Sequence, residues 1–240
     1  MRAQREKRNE SGWNFCHYFL LQEELAFVLE MLEVYDEALV QYDELDALFT
    51  QFVLNSHLTD TPQWLLSFQR YGDRWPALNL TPSTANAILS FIRDTIRNST
   101  VSLLNFRNYL FARQAGLLVK QARVNELAQR SLGFLHNCIN ELCILDVSFS
   151  EEGAISCWVF VSCLEILSVI CGHGHGSPPP DQLTKGQDKS NETKRFGNKN
   201  NDFQQGVHHS AMQATDFSVH TAGLWDYARE KVSSQLMSCI

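Results

Sequence analysis

The sequence predicts an all-α protein, built of antiparallel helical hairpins stacked as a segment of an α-solenoid and carrying one disordered insertion. Three observations predict it. Apolar residues recur at helical spacing over most of the chain. The first two helices are separated by a turn too tight for anything but a hairpin. One internal stretch loses nearly all its aliphatic residues and cannot pack.

The elements follow in order. Residues 1–12 are a polar lead-in, and the opening RAQREKRNESG reads as a linker from a longer protein. Residues 13–33 and 36–54 carry dense helical periodicity. On the first helix Phe15, Phe19, Gln22, Ala26 and Leu29 share a face; on the second, Ala38, Tyr42, Leu45, Phe49 and Phe52 do. The turn falls near Val34-Tyr35. Residues 55–86 are punctuated by Pro62, Pro76 and Pro82, with Trp64, Phe68, Tyr71 and Trp75 predicting short helical pieces that still pack. Helical spacing returns from about 84, with long helices over roughly 100–121, 124–145 and 154–171. Residues 172–218, with HGHGSPPP and KGQDKSNETKRFGNKNNDFQQG, are the disordered insertion, because they cannot bury enough apolar surface to offset about 1–2 kcal/mol of ordering cost per residue. A last helix within 219–240 completes the array begun over 13–171.

A loose internal repeat supports stacking. Ala26 and Ala38 are twelve apart, and Tyr42 follows. Gly116 and Ala128 repeat that spacing, with Leu132 and Leu135 behind them. Small residues there let two helices approach, and the pattern is similar to the tetratricopeptide repeat. Gln22 and Thr50 stand at that motif's tryptophan and proline positions, so the match is degenerate. The alternative is two ordinary hairpins in an irregular bundle.

Composition narrows the function. The net charge is -7 at a pI of about 5.6, more acidic than general nucleic-acid binders, and the aromatic residues are spaced as core rather than interleaved with basic residues. The seven cysteines, at 16, 138, 143, 157, 163, 171 and 239, form no CxxC pair, which points to a reducing compartment. No signal peptide is convincing. The apolar run Cys157–Cys171, about 15 residues and broken by Glu165, is too short to span a bilayer. The expected setting is soluble and cytoplasmic.

Charge is uneven. Between Asn9 and Gln69 there are eleven acids and no Lys or Arg. Residues 93–130 hold Arg93, Arg97, Arg107, Arg113, Lys120, Arg123 and Arg130 against Asp94 and Glu126. These are either two solvated helix faces, or an acidic hairpin that docks a basic partner or stacks on the basic hairpin beside it. Glu30, Glu33, Glu37, Asp43 and Glu44 are the candidate protein-interaction face.

Chemistry is not evident. Asp43, Glu44 and Asp46 fall on different helix faces. His173, His175, His208 and His209 lie in or beside the insertion without ligand-spaced partners, so no metal or cofactor is expected. Cys138 and His136 are two apart on a helix and point different ways. There is no phosphate loop, GxSxG or HExxH. An enzyme would need a site scattered beyond motifs, and none is expected.

Five stretches together resemble one family: QEELAFVLEMLEVYDEALVQYDELDALFTQFV (22–53), LLNFRNYLFARQAGLLV (103–119), SLGFLHNCINEL (131–142), ISCWVFVSCLEIL (155–167) and HTAGLWDYAREKV (220–232). The family is subunit 10 of the transport protein particle (TRAPP) complex, related to yeast Trs130. The resemblance implies an internal helical segment of a TRAPP II-specific subunit, a non-catalytic scaffold in vesicle tethering. It implies ER-to-Golgi, intra-Golgi and endosome-to-Golgi transport, and support of Rab guanine-nucleotide exchange by the assembled complex. The implied partners are other core and TRAPP II-specific subunits and a Rab GTPase through the complex, with peripheral Golgi membrane association and no nucleic acid. A tetratricopeptide-type peptide-binding adaptor unrelated to tethering is the alternative.

Overall fold

A computed structural model describes residues 12–57, 61–69, 75–80, 82–174 and 217–233. The lead-in up to residue 11 and the predicted insertion over 175–216 lie outside the described residues. What is described is all-helical. The helices are α1 (Phe15–Met31), α2 (Tyr35–Asn55), α3 (Pro82–Arg97), α4 (Leu103–Lys120), α5 (Val124–Ile144), α6 (Ala154–Gly174) and α7 (217–233), with a 3-10 turn at Leu65–Gln69.

The hairpin turns are set by local chemistry. After α1, the N–H groups of Glu33 and Val34 donate to the carbonyls of Glu30 and Leu29 at 3.1 and 2.9 Å, which is a Schellman closure with Glu33 left-handed at φ 60°. The same closure follows α3, α4 and α5, centred on Ser99, Ala122 and Asp146 at φ 51°, 55° and 51°. None of these residues is glycine. In α1/α2 and α4/α5 the next helix begins two residues after the left-handed one, so these two hairpins are the same supersecondary unit. Asn14 caps α1, its Oδ1 accepting from the amides of Cys16 (2.8 Å) and His17 (3.4 Å).

The shared turn corrects the repeat register. Ala26 and Ala38 are both buried, seven residues before and five after Glu33. The same offsets from Ala122 give Ala115 and Leu127, both buried. Gly116 is exposed, with nothing within 4 Å of where a Cβ would stand. The Gly116–Ala128 spacing is therefore one residue out of register with the first hairpin.

The hairpins pack into one core. α2 lies against both α4 and α5, α3 packs on α1 and α4, and α6 packs on α5. Leu224 and Ala228 of α7 are fully buried, and its Tyr227 ring meets His136 of α5 edge-on at 4.6 Å. Between the hairpins, Phe15, Phe19, Phe49, Phe68 and Phe106 form a ring cluster with neighbouring centroids 4.6 to 6.1 Å apart. Each such pair contributes about 0.5–1.5 kcal/mol beyond area burial. Phe68, with Trp64, comes from the irregular segment, which is how that segment packs without a long helix.

α6 is longer than its apolar run suggests. Ala154–His173 is long and apolar enough to cross a membrane by length and composition alone. Here Trp158, Val159, Cys163, Ile166 and Ile170 are buried in the core, and about half of the stretch is covered.

Candidate interaction face

The acidic hairpin and the basic residues that follow it meet each other. α2 turns Asp36, Asp43 and Asp46 toward α4 and α5, and arginines on and beside those helices reach back. Asp36 pairs with Arg123 at 2.6 Å, and Asp43 with Arg130 at 2.8 Å. Asp43 also accepts from Gln114 at 2.8 Å. From α1, Glu30 takes Arg113 and, at 3.3 Å, Lys120. Glu23 takes Arg93 of α3 at 2.7 Å. The segregated charge is thus consumed, for the most part, at a contact inside the chain.

Two of these clusters are buried. Arg107 of α4 is 3 % exposed and lies 2.8 Å from Glu141 of α5, itself 1 % exposed, while its other nitrogen reaches Asp46 of α2. Thr50 donates to Glu141 at 3.0 Å. Burial opposes the Arg107 charge, but Asp46 and Glu141 outweigh it and strengthen its hold on the proton. Burial pushes the Glu141 carboxyl above its ordinary value against the pull of Arg107. In the second cluster, burial likewise raises Glu23, which accepts from the Tyr109 hydroxyl and Arg93. Arg113 lies beside it, donating to Tyr42 at 3.0 Å and stacking over the Phe27 ring at 4.6 Å.

The five candidate residues are divided by this arrangement. Glu30 and Asp43 are half-buried in intramolecular pairs. Glu33, at the left-handed turn, and Glu37, in the first turn of α2, are exposed, as is Glu44. The exposed face of α1 beside them is apolar: Val28 is 45 %, Met31 76 % and Leu32 66 % exposed.

A shallow depression of about 550 Å³ between α2 and α5 is lined by Asp43, Asp46, Thr50, Arg130 and Asn137, and both acids there are engaged by arginines. Among the described residues no group of three His, Cys, Asp or Glu side chains could hold a metal. His173 is exposed, its Nδ1 2.9 Å from the Val169 carbonyl. His175, His208 and His209 lie outside the described residues.

Sequence reasoning missed Glu23, Arg107, Asn108, Glu141 and Glu165 as structural polar residues. The signal was present. A lone charge within an apolar helical run, such as Arg107 in LLNFRNYLF or Glu165 in WVFVSCLEIL, is costly unless something in the fold meets it.

Comparison with known proteins gives the family. The chain is 42% identical over 234 residues, 98% of its length, to the human protein named trafficking protein particle complex subunit 10. It belongs to this family. The Drosophila melanogaster subunit 10 is 44% identical over 70% of the chain. The Arabidopsis thaliana trafficking protein particle complex II-specific subunit 130 homolog is 29% identical over 73%. The chain spans about 15% of the human family member's length, 14% of the fly's and 13% of the plant's. No family model matches the chain. No solved structure matches it either.

Proposed function

We propose that this chain is a non-catalytic scaffold segment of a TRAPP II vesicle-tethering subunit. The identity of 42% across 98% of the chain carries the reading. In this role the segment is peripheral to the Golgi from the cytoplasm. Its partners are other TRAPP subunits, and it supports Rab guanine-nucleotide exchange by the assembled complex in ER-to-Golgi, intra-Golgi and endosome-to-Golgi transport. The buried ion pairs fit a rigid element, since their charged groups are committed to neighbours rather than to a substrate.

The finer architecture belongs to the same proposal. Two hairpins with one turn geometry, followed by α6 and α7, form a tetratricopeptide-like solenoid segment over 13–171, completed by 219–240. In such arrays each unit buries its faces only against neighbours, and an apolar outer face such as that of α1 is covered by the next element or subunit. The partner surface is therefore Val28, Met31 and Leu32 with Glu33 and Glu37 at their edge.

Affinity purification of the tagged full-length protein tests the assignment. Other tethering-complex subunits are expected to co-purify, and their absence sinks it. Val28→Asp with Leu32→Asp is expected to weaken that recovery while leaving helical content intact. Undiminished recovery removes this face from the proposal.

A further inference from the structure

Residues 75–80, Trp-Pro-Ala-Leu-Asn-Leu, form neither helix nor strand, yet the side chains of two helices hold their backbone. Asn108 of α4 donates from Nδ2 to the carbonyls of Pro76 at 3.1 Å and Ala77 at 3.2 Å. Glu165 of α6 accepts from the amide of Leu78 at 3.1 Å and, through its other oxygen, from that of Leu80 at 2.6 Å. Between these clamps Leu78 is 1% exposed and joins the core. Asn79 takes φ 58°, in the left-handed region, where the two amides turn toward one carboxylate.

Asn108 is 2% exposed, and Glu165 interrupts the most apolar helix of the chain. Placing a polar group in such a wall is costly unless it is hydrogen-bonded. The strap backbone supplies those bonds. Two consecutive carbonyls, a buried leucine, and the amides of that leucine and the residue two beyond are what is recognised. Such contacts read a short segment, turned at its Asn79, by its main chain and take specificity from one side-chain pocket. Proline is compatible at the first carbonyl because nothing there requires its missing N–H.

We propose that the groove between α4 and α6 is a peptide-binding site, occupied in cis by residues 75–80, which accepts a Leu-x-Leu segment of another polypeptide, turned left-handed at its middle residue, when this strap is released. The proposal is independent of the tethering assignment.

The test uses a fluorescein-labelled WPALNL peptide, titrated by fluorescence anisotropy into the full 240-residue chain carrying Leu78→Asp. Saturable binding is expected, about ten-fold or more tighter than to the unmodified chain, whose own strap competes. Adding Glu165→Ala to the Leu78→Asp chain is expected to weaken binding about ten-fold or more. Absence of saturable binding to a Leu78→Asp chain of normal helicity overturns the proposal, as does an affinity indifferent to Glu165→Ala. If Leu78→Asp unfolds the chain, hydrogen exchange on the unmodified protein decides. Exchange of the Leu78 and Leu80 amides well ahead of the amides of α4 and α6 supports a releasable strap. Exchange only together with those helices overturns it.

Discussion

Arg107 stands where the surrounding apolar side chains make an unpaired charge untenable. Removing one member of a buried pair leaves the other uncompensated, at a cost of about 3–5 kcal/mol, whereas replacing both with apolar groups is often neutral. Glu141→Ala should therefore destabilise the fold by about 3 kcal/mol or more, and Arg107→Met with Glu141→Met should recover most of that loss. Denaturant unfolding of the three chains measures it; equal stability of the single and double variants contradicts the account. Glu23 gives a pH test. Its carboxyl is raised from the ordinary 4.5, first by burial, against the lowering contacts of Tyr109 and Arg93. A raised folded value means stability fully present below the unfolded value and lost as pH rises through the folded one. The melting-temperature advantage of the natural chain over Glu23→Gln should accordingly shrink as pH is raised from about 4.5 to about 8. Thiols report burial directly. Burial pushes Cys16 and Cys163 up to about 11, while Cys143, Cys157 and Cys171 are exposed. Peptide-resolved alkylation near neutral pH should label the exposed three first, and Cys16, Cys138 and Cys163 only on unfolding.

At the scale of elements, the repeated turn is the informative feature. A left-handed residue with a Cβ costs roughly 1–2 kcal/mol, partly offset when glycine's greater unfolded freedom is counted. Ala122 is exposed at φ 55°, so Ala122→Gly should raise stability by about 0.5–1 kcal/mol, read as a shift of the denaturation midpoint. An unchanged or lowered midpoint would mean that the turn is not under this strain. The helices themselves were legible from apolar spacing: the expected 100–121 and 124–145 are Leu103–Lys120 and Val124–Ile144. Their turns were less so, because glycine, the usual marker of such a closure, is absent from all four left-handed positions. The repeat register slipped by one residue for a related reason. Gly116 looks like a close-approach residue in sequence, but helical phase set by the turn points it to solvent.

For the whole molecule, the ion pairs between helices are of two kinds. Lys120–Glu30, Arg123–Asp36 and Arg130–Asp43 are partly solvated, and salt screens such pairs; Arg107–Glu141 is enclosed and is screened little. Loss of stability on adding Asp36→Asn should therefore be measurable at low salt and fade near 1 M salt, whereas that of Glu141→Ala should persist. Parallel salt series of thermal melts compare them, and the same salt dependence for both variants would refute the distinction.

The sequence alone determined the helical class, the position of each long helix, the charge segregation and the family resemblance, because these depend on periodicity, composition and residue identity along the chain. Tertiary structure decided what the charges meet. The α1/α2 acids and the later basic residues are 61 to 90 residues apart, and only folding brings them within bonding distance. It also decided that Asn108 and Glu165 grip the 75–80 backbone, since hydrogen bonds to main-chain atoms leave no mark on the side chains of the segment they hold.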